Sequence, residues 1–259
     1  MRLGELLEEL RDNILRDRSH QVAGAEDYLW SDKTLVRYID QAHKRFARLT
    51  QCIRDNLTPQ VTQFTTVAYQ HLYPLDPSVI GVLSVHMHGD KADLARAGHS
   101  DLDTYHTPDT YFFDPGQLSN LPPGKPLAFT TDEGIAQDNE GTYSATLLRL
   151  YPIVSPTYAG IEGRLRVTRL PLYTLDHRQL DMVPEVPEDW HLNMLDWAAY
   201  LALRQPDLDI AGGDALMRSD KFAKSFQAHV DDCKETFKRK QFTPLQWSFG
   251  RNGYSYEHY

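Results

Sequence analysis

The sequence predicts an α+β protein: a four-helix bundle, a β-rich domain inserted between helices 2 and 3, and an extended C-terminal arm. Three observations predict it. Apolar stripes at helical spacing occur before residue 58 and again after residue 184. Between them, short runs of β-branched and aromatic residues alternate with Pro and Gly. After residue 240 the periodicity stops, and six aromatics follow within 19 residues. The expected domains are therefore 1–58 with 184–240, 59–183, and 241–259.

The first helix follows from Leu3, Leu6, Leu7, Leu10 and Ile14, which fall on one face. A polar loop runs from Ser19 to Trp30. Ser31 or Asp32 then caps a second helix, whose stripe is Leu35, Ile39, Ala42, Phe46, Leu49 and Ile53. Asn56 and Pro59 are expected to stop it. Strands are expected over 63–73, 78–87, 125–132, 143–154 and 162–173, with long loops over 99–124. In 162–173 the alternation breaks after Leu165 and Val167, as in a half-exposed strand. The third helix, 189–203, is apolar on a wide face. The fourth opens after a Gly-Gly break with Asp214 as cap, and its stripe is Phe222, Phe226, Val230, Cys233 and Phe237. The enclosed β domain requires its two ends to lie close together.

Charge is unevenly divided. The chain of 259 residues carries a net charge of −9. Residues 1–56 balance at ten basic and ten acidic side chains, whereas 57–183 carry eight against fourteen. This pattern argues against gripping nucleic acid by phosphate neutralisation, but does not exclude a protein that surrounds DNA without holding it. No apolar run approaches the ~18 residues of a membrane span. The glutamates of the opening segment do not suit a secretion signal.

Candidate chemistry is sparse. His86 and His88, two apart on an expected strand, could share a metal. Their surroundings are similar to the cupin pattern, with Asp93 at the carboxylate position and Gly116, Pro122 and Gly124 matching its second half. Leu127 replaces that pattern's third histidine, and Thr131 its asparagine. Asp101, Asp103 and His106 read as a solvated acidic loop. His20, His43, His71, His177, His191 and His258 stand in unrelated contexts and are expected at surfaces or interfaces. Cys52 and Cys233 read as buried structural thiols. No phosphate loop, dinucleotide fingerprint or nucleophile elbow is present. No cofactor and no catalytic residue is expected.

The tail makes the strongest demand. Phe242, Trp247, Phe249, Tyr254, Tyr256 and Tyr259 have no helical period and only one Arg and one Glu among them. Such a segment is a liability in water and suits an arm docked on a partner. The alternative is a strand folded over the chain's own β domain.

Four stretches resemble the head-to-tail adaptor proteins of tailed bacteriophages, also called connector or head-completion proteins. They are LWSDKTLVRYIDQAHKRFARLTQ (29–51), YPLDPSVIGVLSV (73–85, with Asp76 where proline is usual), LLRLYPIVSPTYAG (147–160) and VPEVPEDWHLNMLDWAAYLAL (183–203). The acidic loops of the β region have no counterpart in that pattern. The resemblance implies a non-enzymatic virion protein at the head–tail junction, made in the host cytoplasm. It implies a homo-oligomeric ring, typically of twelve subunits, with DNA passing through the lumen. The helices, with Arg37, Lys44 and Arg48, would pack laterally or within the bundle. The arm would bind the portal protein, and the β part would meet a tail or nozzle protein. The alternative is a cupin-like metal-binding enzyme using His86 and His88.

Overall fold

The computed structural model describes residues 1–17, 21–22, 25–26, 29–70, 72–96, 122–137, 143–204 and 212–242. The protein is mixed α+β. It divides into two compact units, Met1–Cys52 with the described part of Thr174–Tyr259, and Ile53–Tyr173.

The first unit is helical. Helix α1 (Leu3–Glu8) continues directly into a π-helical stretch, Glu9–Leu15. The wider π turn places the next inward position five residues on rather than four. Leu15 is therefore buried after Leu10, and Ile14, expected on the stripe, is only half-buried. Arg16, in the left-handed region at φ 59°, ends the stretch. A two-stranded ribbon follows, β1 (Gln21–Val22) and β2 (Ala25–Glu26).

An arginine ties this segment to the next helix. Arg11 donates to the Trp30 carbonyl at 2.8 Å and pairs with Asp32 at 2.7 Å. Asp17 is buried beside it and accepts from the Leu29 and Trp30 amides. Helix α2 (Asp32–Thr50) begins where Ser31 Oγ accepts from the Thr34 amide at 3.2 Å, the cap expected from sequence. It ends earlier than expected. Gln51 adopts φ 52°, and its amide bonds to the Ala47 carbonyl, so the helix closes before Asn56 and Pro59.

The remaining helices of this unit are His191–Leu203, called α4 below, and the 31-residue Gly212–Phe242, called α5. Asp214 thus lies inside the first turn of α5 rather than at its cap. Helices α2, α4 and α5 pack on one another, and α1 packs on α2 and α4. Ala198, Ala199 and Ala202 are fully buried on α4, where small side chains let helix backbones approach closely. Phe46 meets Phe226 edge-on at 5.9 Å, so α2 and α5 share an aromatic contact.

The second unit holds α3 (Pro59–Thr62) and two four-stranded sheets. Its strands are β3 (Arg54–Asp55), β4 (Gln63–Thr65), β5 (Leu72–Pro74), β6 (Val79–Met87), β7 (Ala95–Arg96), β8 (Ala128–Gln137), β9 (Tyr143–Tyr151) and β10 (Glu162–Arg169). The expected strand 63–73 is two strands, because the chain turns over 67–70 between β4 and β5.

In the first sheet β10 is central. Its residues 163–169 pair with β6 along one edge, while 162–164 pair with β4 and 167–168 with β3 along the other. The second sheet runs β5–β9–β8–β7, antiparallel except for the β7–β8 pair. Val82, Val85, Leu165 and Val167 of the first sheet share one core with Phe129, Leu148 and Leu150 of the second.

Two features explain departures from simple alternation. Thr168 and Arg169 are buried, which is why the pattern of β10 breaks after Val167. Arg169 Nε donates to Asp55 Oδ2 at 2.6 Å in a buried ion pair. Burial alone would push the Asp55 carboxyl up. Hydrogen bonds from the Thr58 hydroxyl and amide, the Leu57 amide and Arg169 outweigh it and hold the carboxyl far below the usual range. Opposite Phe64 on β4 stands Gly163 on β10, and the Phe64 ring occupies the space a Cβ would need.

Gly163→Ala forces that ring aside and should cost about 1–3 kcal/mol of stability, read by denaturant unfolding. Arg169→Met leaves the Asp55 charge buried and should cost about 3–5 kcal/mol. In the wild type, Asp55 stabilises fully above about pH 4, its unfolded value, and that contribution is lost as pH falls further. The unfolding free energy of Arg169→Met should therefore lose less than the wild type's between pH 5 and pH 2.

Candidate functional site

The expected site residues on α2 and β6 have definite places. Arg37 and Arg48 lie exposed on α2, and the Arg37 guanidinium sits 5.4 Å from the Tyr38 ring centre. Lys44 is engaged within its own unit. It donates to Asp40 Oδ2 at 2.8 Å and to Thr174 Oγ1 at 3.2 Å. Asp40 also accepts the Leu175 amide, and so ties α2 to the segment that follows Tyr173. A cavity of about 410 Å³ lies along the N-terminal half of α2, lined by Lys33, Arg37, Asp40, Leu175, Asp176 and His177 among others. Its lining charges are of both signs.

Phe242 is the last residue of α5. Trp247, Phe249, Tyr254, Tyr256 and Tyr259 lie outside the described residues, as do Asp101, Asp103, His106, His20, His71 and His258.

The two histidines do not share one strand. His86 is on β6, with Nδ1 3.0 Å from Asp93 Oδ1, whereas His88 lies in the turn after the strand, where its amide donates to the Glu162 carbonyl. Among the described residues no group of three or more His, Cys, Asp or Glu side chains converges as a metal site. Leu127, at the third-histidine position of the cupin pattern, is exposed.

His43 and His191, expected near surfaces, are buried at 1% exposure each. His43 Nε2 accepts from the Glu185 amide at 3.1 Å, so a bond to the backbone draws the ring inward. Burial, partly offset by the Asp40 and Glu185 charges, lowers its pKa to about 4. His191 lies 2.7 Å from the Val186 carbonyl through Nε2 and 3.2 Å from the Met1 ammonium through Nδ1. Burial lowers its pKa as well. The thiol of Cys233 is pushed up by its contact with Cys52 and by burial. Both cysteines are buried and neither is in a disulfide, as expected of structural cysteines.

Two clusters escaped the sequence reading. Ser225, His229 and Asp196 meet between α4 and α5, and the trio invites comparison with a nucleophile relay. The geometry is different. Ser225 Oγ and Asp196 Oδ2 both approach His229 Nε2, at 3.3 and 3.4 Å, while Asn193 occupies Nδ1 at 2.7 Å. A relay needs the carboxylate on the ring nitrogen opposite the serine, so this is a polar seam joining two helices. The second is an Arg–aromatic ladder. Arg45 lies 3.8 Å above the Trp197 ring, Trp197 stacks on Tyr200 at 4.5 Å, and Arg204 donates to the Tyr200 hydroxyl at 2.6 Å. Trp197, Tyr200 and Arg204 follow at helical spacing and could have been paired from sequence; Arg45 could not, because it comes from another helix.

Chemistry exposed among the described residues is that of contact surfaces: an Arg–aromatic ladder, a charged helix face and apolar loops. A comparison with protein-family models matches residues 1–241 to the family described as SU10 adaptor protein. The chain belongs to that family, and is accordingly a structural adaptor protein of bacteriophage, placed in the virion and in contact with other phage structural proteins. No curated protein matches it. Among the described residues no helix is long and apolar enough to cross a membrane.

The buried histidines make stability depend on pH. His43 binds its proton more weakly folded than unfolded, so its contribution is fully present above about pH 6.5 and falls as pH drops toward 4. The loss attributable to it is on the order of 3 kcal/mol. His43→Gln should flatten, and His191 partly retain, the decline in unfolding free energy measured between pH 7 and pH 4.

Proposed function

We propose that this adaptor forms a closed homo-oligomeric ring at the head–tail junction, joins the portal protein to the next tail component, and lines part of the DNA channel. The observation that carries the proposal is the adaptor-family match, which spans residues 1–241 and so takes in both units. No catalytic step is part of it. The finer architecture proposed is a four-helix bundle of 1–58 and 184–240 that carries 59–183 as an inserted domain and 241–259 as an arm.

In this reading the helical unit supplies lateral contacts, with the exposed Arg37 and Arg48 on α2 at the flank. Its near-balanced charge supports repeated side-by-side packing, because like surfaces of large net charge would repel. A head-to-tail contact closes into a ring when its rotation closes, and the resemblance implies about twelve copies. The aromatic arm supplies anchors of the kind that dominate interface energies, and it is proposed to seat on the portal. The net charge of −9 supports a lumen that DNA crosses without being held.

Deletion of residues 243–259, which spares all of α5, should abolish binding to the purified portal protein while the melting temperature stays within a few degrees of wild type. Electron microscopy of the mixture should show stacked rings with the full chain and isolated portals with the truncated one. Loss of the fold on truncation would instead make the tail part of the core.

A further inference from the structure

The chain has two cysteines, and the fold brings them together. Cys52 follows the end of α2, and Cys233 lies in α5. These helices pack on one another, and the edge-on contact of Phe46 with Phe226 at 5.9 Å lies shortly before both cysteines in the chain. The Cys233 thiol is hydrogen-bonded to the Cys52 thiol, with the Thr50 hydroxyl beside it. The contact is inside the helical unit, for Cys52 is 4% exposed and Cys233 0%. In sequence the two come from opposite sides of the β unit, since Ile53–Tyr173 lies between them.

Two sulfurs in contact can serve as a nucleophile, as ligands of a soft metal, or as the halves of a disulfide. The first two uses need a standing thiolate, which a neighbouring cation or a helix N-terminus would favour. Here the second thiol, burial and the Asp232 charge all oppose ionisation of Cys233. The Thr50 hydroxyl gives its proton to the Phe46 carbonyl at 2.7 Å. Among the described residues no third His, Cys, Asp or Glu joins the pair as a metal ligand. A disulfide carries no charge once made, so burial does not oppose it. Sulfurs already in contact have only to close to the covalent distance of about 2.05 Å.

We propose that Cys52 and Cys233 are a disulfide-forming site, reduced when the chain folds and joined by hydrogen peroxide in oxidising surroundings. One sulfur, as its transient thiolate, attacks the peroxide and breaks the O–O bond; it becomes a sulfenic acid, and water leaves. The second sulfur displaces the hydroxyl of that acid, which departs as a second water, and the S–S bond forms. Two protons and two electrons pass from the thiols to the peroxide. The bond closes a loop that contains all of Ile53–Tyr173. The helical unit consists of two chain segments separated by that stretch, and the bond fastens one to the other. A virion protein is made in a reducing cell and carried outside it, where disulfides persist. The site belongs to the single chain and does not depend on ring assembly.

The full chain, purified in reductant and then freed of it, is treated with hydrogen peroxide and unfolded in excess N-ethylmaleimide. Untreated protein should take up two maleimides, one for each cysteine, and treated protein none until reductant is added back. A protease digest made without reductant should contain the Cys52 and Cys233 peptides joined. The melting temperature should rise by roughly 5–10 °C and return to its starting value with reductant. In Cys52→Ser the same treatment should give no rise. Peptide mapping of the wild type needs no variant, and so decides the matter even where that substitution impairs folding. Sulfinic acid at Cys233 without a link, cysteines joined between copies, or thiols that stay fully alkylatable would each overturn the proposal. So would a rise that persists in Cys52→Ser, or a linked chain that melts lower, since a strained bond does not fasten the unit. None of these outcomes touches the adaptor reading.

Discussion

Strand β10 is paired along its whole length on one edge and by two separate strands on the other. Much of the β unit depends on that arrangement. Because β4 stops at Thr65, the chain leaves the sheet at Thr66, whose hydroxyl and carbonyl bind the segment leading into β10. Because β3 takes the other half of the edge, Asp55 comes within reach of Arg169. The salt bridge at one end and the ordered turn at the other are thus consequences of one pairing scheme. Gly163 lets β4 approach with Phe64 lying across it, which substitutes ring area for the missing side chain.

The helical unit is organised differently, by polar groups inside helix contacts. Asp40 joins α2 to the Leu175 amide, His43 joins it to the Glu185 amide, and Arg11 joins the N-terminal segment to the Trp30 carbonyl at the start of α2. Each satisfies a backbone group that packing would otherwise leave bare. Such bonds add directional constraints to an apolar interface, since a helix rotated by one position would lose them. Leu, Ala and Phe contacts supply the bulk of the burial; these few bonds select one arrangement among similar ones.

The family match and the two units agree in character. The family is one of phage structural adaptor proteins. The helices carry mixed charge and an Arg–aromatic ladder, whereas residues 57–183 carry eight basic side chains against fourteen acidic. Faces so unlike in chemistry discourage one partner from binding where another belongs.

The residues by themselves determined the α+β class, the cap at Ser31, the apolar stripes of α2 and α5, and the strands β6, β9 and β10 to within a few residues. These depend on contacts between near neighbours in the chain, which a period of 3.6 or 2 records directly. The resemblance in 29–51, 73–85, 147–160 and 183–203 pointed to the family for the same reason. What only the tertiary structure decided involves residues far apart. The π turn moved Leu15 inward in place of Ile14. Arg169 was buried because Asp55 arrived beside it, and His43 because the Glu185 amide needed an acceptor. Arg45 met Trp197 across two helices, and Tyr69 was held at positive φ by Val154 from 85 residues away. No local pattern encodes such pairs, because each depends on where the fold brings the second partner.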